Sequence, residues 1–155
     1  MLRTAGYALI VVSNQGLVAR GHGTIADVEA TNRRMVELLE SAVSASGSSD
    51  MATQSNGHGT RAVIDAIYYC PYHPVGVIEP FNREHPWRKP APGMIQHAAG
   101  EHSIDLARSW MVGDSSRDVN AGVAAGIPPP RCLRIGEGQQ FATLLDAARH
   151  IITAP

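Results

Sequence analysis

The chain has 155 residues, 44% of them apolar, with 13 Lys and Arg against 14 Asp and Glu. That length and composition suit one globular domain with its own core. The near-zero net charge offers no basic face for nucleic acid or an anionic membrane, and no segment approaches the ~20 apolar residues of a membrane span. Two cysteines far apart in sequence, Cys70 and Cys132, do not make a disulfide framework, so a reducing, cytoplasmic setting is expected.

Residues 2–6 read as the last turn of a helix stopped by Gly6. Residues 8–12 form a short apolar, partly β-branched run, as a buried parallel strand does. Gly6 and the pair Asn14-Gln15, with no small-residue cleavage site, argue against a secretory leader. Thr24 can cap the next helix, with Asp27 near its positive end. Ile25, Val28, Met35, Leu38, Leu39 and Ala42 recur near helical spacing as far as about residue 43. Residues 44–60 are rich in Ser and Gly and read as a flexible surface insertion. A second strand is expected near residues 66–69.

From Cys70 to Pro92 the chain is irregular, because six prolines forbid long regular elements. A loop this long inside a compact domain tends to be functional. A helix opens at Pro92-Gly93-Met94 and runs to about Gly100. Residues 109–112 make a third strand ending at Gly113-Asp114, residues 118–125 a helix stopped by Gly126, residues 132–135 a fourth strand, and residues 141–152 a closing amphipathic helix. Alternating strands and helices predict an α/β fold, a Rossmann-like parallel sheet flanked by helices. Ligands of such sheets bind beyond the carboxyl ends of the strands, where Ser13, Cys70 and Asp114 fall.

Three segments there carry chemistry. In Gly113-Asp114-Ser115-Ser116-Arg117-Asp118, two carboxylates flank a strand-to-helix turn, which suits a hard cation such as Mg²⁺; the same residues equally suit a helix cap and a solvated turn. In Arg88-Lys89-Pro90-Ala91-Pro92-Gly93-Met94, a Lys held before a helix start can set a positive charge beside a phosphate, though an exposed basic loop looks no different. In Val12-Ser13-Asn14-Gln15-Gly16, a hydroxyl after a strand can donate to an oxyanion or satisfy its own turn.

Together these segments resemble the later motifs of the haloacid dehalogenase superfamily. The strings Val11-Val12-Ser13-Asn14-Gln15, Ala19-Arg20-Gly21, Ile67-Tyr68-Tyr69-Cys70-Pro71, Arg88-Lys89-Pro90 and Met111-Val112-Gly113-Asp114 are similar to its heptose-bisphosphate and histidinol-phosphate phosphatase group, over nearly the whole chain except the insertion. The resemblance implies Mg²⁺-dependent hydrolysis of a small phosphorylated sugar, with a heptose 1,7-bisphosphate first and histidinol phosphate as the alternative substrate. It implies that Ser13 hydrogen-bonds the transferring phosphoryl group and that Lys89 neutralises it. Asp114 would bind Mg²⁺ with Asp118 supporting, and Asn14, Arg20 and Arg88 would contact substrate.

Two features depart from that pattern. Such phosphatases open with a strand ending in Asp-x-Asp-Gly, whose first Asp attacks phosphorus and whose second is general acid and base. No Asp-x-Asp occurs in these 155 residues, and residues 1–155 read as a single domain beginning inside the helix that follows this strand. The resemblance places that strand mid-sheet, between those ending at Ser13 and Asp114. The chain is therefore expected to be inactive alone, either as a truncated enzyme or as a phosphate-binding homologue without turnover. Many relatives also carry a Cys-x-His … Cys-x-Cys zinc clip after the second strand. Here Cys70, His73 and His85 are the only donors offered, short of a closed four-ligand set, so a metal-free loop is expected. A nucleotide-binding domain has little support, since no Gly-x-Gly-x-x-Gly or Walker loop follows a strand.

Overall fold

A computed structural model describes residues 1–45 and 63–154. The predicted insertion therefore lies outside the described residues, except for Ser44 and Ala45, which complete a helix. The start of the chain is a hydrogen-bonded turn, with Ala5 N donating to Met1 O at 3.1 Å, and Gly6 leaves it at φ 86°. Asp65 anchors this turn to the second strand: it pairs with Arg3 and accepts from Leu9 N at 2.7 Å.

Strand β1 (Ile10–Asn14) pairs in parallel with β2 (Ala66–Cys70), Ile10 opposite Ala66 and Asn14 opposite Cys70. Between them, α1 (Ile25–Ala45) starts at a reciprocal cap. Thr24 Oγ1 accepts from Asp27 N at 3.2 Å, and Asp27 Oδ2 accepts from Thr24 N at 2.8 Å, satisfying two orphan donors of the first turn. The predicted apolar stripe of α1 is largely unused, because only Val28 is buried and Leu38 and Leu39 remain 53% and 37% exposed. A helix of 21 residues is about 32 Å long, against about 17 Å for a five-residue strand. The helix is therefore about twice as long as either strand of the pair.

The second half runs α2 (Gly93–Glu101), β3 (Met111–Gly113), α3 (Ser116–Ala125), β4 (Cys132–Arg134) and α4 (Leu144–Thr153). Strands β3 and β4 are parallel, Met111 opposite Cys132 and Gly113 opposite Arg134. Alternation along each strand splits the core. Met111 and Cys132 face Ile95 of α2 and Ala121 and Ala125 of α3, whereas Leu133 and Val112 face Ala147 and Ile151 of α4. Helix α3 ends at Gly126, φ 109°. Helix α4 starts three residues later than its apolar pattern suggests, because Thr143 and Asp146 form its cap. Among the described residues no helix is long and apolar enough to cross a membrane.

The strands form two separate parallel pairs rather than one sheet. Val12 of β1 packs its side chain against the cluster containing Met111, so the two halves share core without sharing a ladder. The split falls where the resemblance places a further strand, between those ending at Ser13 and at Asp114. Helix α2 packs against β1 and β2 as well as α3, and Tyr68 ties β2 to α2 by donating to Glu101 Oε2 at 2.5 Å.

Helix α3 lies close against its strands at Gly122, where an added Cβ would lie 2.8 Å from Met111 Cβ and 2.9 Å from Cys132 Sγ. Alanine there gains about 1 kcal/mol of helix propensity but overpacks anchored neighbours at about 1–3 kcal/mol. Gly100, in α2, would meet nothing within 4 Å. Urea unfolding is expected to show Gly122→Ala with a lower midpoint and Gly100→Ala with a higher one.

Candidate active site

The loop after β2 returns Lys89 to the carboxyl end of β1. Its ammonium, 8% exposed, donates to Val12 O at 2.6 Å and lies 2.6 Å from Asp118 Oδ1. Lys89 thereby bridges the two strand pairs, since Val12 belongs to β1 and Asp118 to the first turn of α3, just past β3. The Lys89 main chain is held as well: Asn14 Oδ1 accepts from Lys89 N at 3.0 Å, and Asn14 Nδ2 donates to Lys89 O at 2.9 Å.

Asp118 is buried and doubly committed. Its Oδ1 meets Lys89, and its Oδ2 accepts from Ser115 N at 3.0 Å as half of the capping box of α3. Gly113 makes this possible, because any Cβ there would collide with the Asp118 side chain. The cap reading of Asp118 is thus borne out. Asp114 is exposed, at the end of β3, and its carbonyl accepts from Arg134 Nε at 3.3 Å. Ser13 stands half-buried on β1, its hydroxyl accepting from Gln15 Nε2 at 3.0 Å.

Three guanidinium groups add to Lys89. Arg88 Nη1 donates to Tyr72 O at 3.2 Å, and Arg20 Nη2 lies 2.6 Å from His73 Nε2. Gly16 leaves room for both, because a Cβ there would lie 3.0 Å from the His73 ring and 3.4 Å from Arg88 Nη1. Sequence reading passes over Arg117, whose Nε donates to Ser115 Oγ at 3.3 Å and whose charge reaches Arg88 and His73. Its only sequence signal is its place in the first turn of α3. Burial, then the nearby guanidinium groups of Arg117 and Arg20, hold the Arg88 pKa below its ordinary value, offset in part by Cys70 and Glu84.

A HAD-hydrolase-like family model matches residues 86–132, from the run before Lys89 through Asp114 to β4. A D-glycero-beta-D-manno-heptose-1,7-bisphosphate 7-phosphatase of Rhodopseudomonas palustris is 37% identical over 127 residues, 82% of this chain and 61% of the relative. The enzyme of the same name from Escherichia coli K12 is 37% identical over 137 residues, 88% of this chain and 62% of the relative. The crystal structure of a D,D-heptose 1,7-bisphosphate phosphatase from B. bronchiseptica, complexed with magnesium and phosphate, superposes with a TM-score of 0.61 at 26% identity, covering 86% of this chain and 59% of that one. Over most of its length the chain is similar to phosphatases of the haloacid dehalogenase type. It spans about three-fifths of the length of the curated relatives it matches.

The similarity implies a magnesium ion, which one neighbour holds, and the donor chemistry tests it. Mg²⁺ is satisfied by one or two carboxylates plus waters and phosphate oxygens. Asp114 fits as one such ligand, because its exposed carboxylate accepts no hydrogen bond and forms no ion pair among the described residues. Asp118 is occupied by Lys89 and Ser115, which suits a supporting place better than direct ligation. A zinc clip does not fit. Among the described residues no three His, Cys, Asp or Glu side chains gather as a metal ligand set, so Cys70, His73 and His85 are not brought together. Cys70 is fully buried, and burial pushes its thiol pKa up. His73 turns to Arg20. The His85 ring stacks on Tyr72 at 4.1 Å and 5°, its Nδ1 accepting from Trp87 N at 3.1 Å.

Removing one partner of a buried ion pair leaves the other uncompensated, at about 3–5 kcal/mol. Lys89→Met is expected to lower the unfolding free energy by that order in urea titration. Pairing it with Asp118→Asn should restore part of the loss.

The histidines set a second expectation. Burial first, then the Arg88 and Arg20 charges, lower the His73 pKa, and burial and Arg83 lower that of His85. Below about 6.5, the ordinary histidine value, the unfolded chain takes up protons there that the folded chain does not. Stability is therefore expected to fall as pH drops through that value. A thermal-melt series from pH 7.5 to 5.5 checks this, and His73→Gln combined with His85→Gln should flatten the profile.

Proposed function

We propose that this chain supplies the phosphate-binding and metal-supporting half of a Mg²⁺-dependent phosphomonoesterase acting on a small sugar bisphosphate, D-glycero-D-manno-heptose 1,7-bisphosphate first among candidates. The observation that carries this reading is the placement of Lys89. A lysine ammonium has three N–H bonds. Val12 O and Asp118 Oδ1 account for two, which leaves the third for an oxyanion at the joined carboxyl ends of β1 and β3. Ser13 adds a hydroxyl donor beside it, while Arg20 and Arg88 provide the charge for the remaining phosphate and hydroxyl groups of substrate. Mg²⁺ on Asp114 would neutralise phosphate oxygens. Phosphoryl transfer gains most from positioned charge of this kind. Hydrolysis of such a bisphosphate is what the names of the relatives describe.

The groups that attack phosphorus and move the proton are a separate matter. No Asp-x-Asp occurs in these residues, so the 155-residue chain is expected to bind phosphate compounds without turning them over. Purified chain, incubated with Mg²⁺ and the heptose bisphosphate, should release no inorganic phosphate. Fusing ahead of Met1 the opening strand of a heptose-bisphosphate phosphatase, Asp-x-Asp-Gly included, should produce release that is lost in Lys89→Met and Asp114→Asn. Release by the unfused chain that disappears in Asp114→Asn would contradict its inactivity. A fused protein that binds the bisphosphate and still shows no turnover would favour a binding homologue. Faster turnover of histidinol phosphate would reassign the substrate.

A further inference from the structure

We infer that Asn14 is a positioning residue for Lys89 rather than a substrate contact. The inference rests on Lys89 being the phosphate-binding group of the proposed function. Asn14 was expected to touch substrate, yet its carboxamide is turned to another task. Oδ1 accepts from Lys89 N at 3.0 Å while Nδ2 donates to Lys89 O at 2.9 Å. These two groups flank the Lys89 Cα, so holding both fixes the direction in which the side chain leaves the backbone. The lysine stem is long and freely rotating, and a fixed root is what lets a fixed end be reached.

The root and the end are set by one strand. Asn14 and Val12 are both on β1, so the strand that accepts from Nζ at Val12 O also clamps the main chain of the same lysine through Asn14. The strand end is itself tied down: Asn14 lies opposite Cys70 in the ladder, and Gln15 N donates to Cys70 O at 2.8 Å. Only a carboxamide can do this in so short a side chain, since it presents a donor and an acceptor in one plane. An aspartate would set a second acceptor against Lys89 O, and an alanine offers nothing.

Proton and nitrogen NMR on the intact 155-residue chain tests the clamp without any variant and without phosphate. The Lys89 amide proton is expected to exchange as slowly as those of the β1 ladder. Inorganic phosphate, added as probe, should move the Lys89 Nζ resonance and leave the Asn14 carboxamide resonances in place. Asn14→Ala, or the isosteric Asn14→Asp, should speed Lys89 amide exchange about 10-fold, the order expected for the net loss of one or two hydrogen bonds. Either should also shift Lys89 Nζ while leaving the Leu133 amide unchanged. Phosphate affinity should fall about 10-fold in either variant and change little when the substitution is made on Lys89→Met. Carboxamide resonances that track phosphate, or equal losses of affinity in both backgrounds, would put Asn14 on the anion and overturn the inference. Rapid exchange of the Lys89 amide in the unmodified chain would overturn it as well. A chain that binds no phosphate but shows the protected amide and the variant shifts would instead refute Lys89 as the phosphate group and leave the clamp standing.

Discussion

The structure depends on a lysine ammonium buried between a strand carbonyl and a carboxylate. Burying a charge is costly unless it is paired and hydrogen-bonded, and Lys89 meets that condition by reaching Val12 O on one strand pair and Asp118 on the other. Among the described residues no ladder joins the pairs. What joins them is side-chain packing, Val12 against the Met111 cluster and α2 against β1, β2 and α3, together with this charged bridge. The lysine proposed to meet an anion is therefore also one of the groups that hold the two halves together.

The charge around that bridge is uneven. The charges of Arg20 and Arg117 reach Arg88, and those of all three reach His73. Asp118, the nearest carboxylate, is already spent on Lys89 and on the cap of α3. Glu84 offsets the cluster only in part. Under the proposed function a phosphate dianion would meet this charge, and the exposed carboxylate of Asp114 would serve as a hard-oxygen ligand.

Local rules in the sequence located most elements. Thr24 with Asp27, Ser115 with Asp118 and the left-handed Gly126 all mark real helix ends, because caps act over three residues and need no knowledge of the fold. The order of strands and helices, and the fall of Ser13, Cys70 and Asp114 at strand ends, were legible for the same reason. Three things were not. The apolar stripe of α1 promised burial, yet how far a helix projects past its strands depends on the length of both. The division into two strand pairs depends on what lies between β1 and β3, which neither strand states. The grip of Asn14 on Lys89 joins residues 75 apart in the chain, and the charge of Arg117 acts on Arg88 and His73 across space; no local spacing encodes either.

The loop from Cys70 to Lys89 carries a set of internal ring contacts. A zinc clip fixes a loop through four directed bonds. Here the closure comes from faces and edges: Tyr72 lies flat on His85, Phe81 meets Tyr72 edge-on at 5.4 Å, Arg83 sits 5.1 Å from the Tyr72 ring centre, and Trp87 packs edge-on against His85. Each such pair contributes only about 0.5–1.5 kcal/mol beyond its area, but they are contiguous and end on the residue before Arg88. Arg88 then donates back to Tyr72 O, so the aromatic stack and the cationic cluster share a hydrogen bond. The stack is thus tied to Arg88 and, along the chain, to its neighbour Lys89.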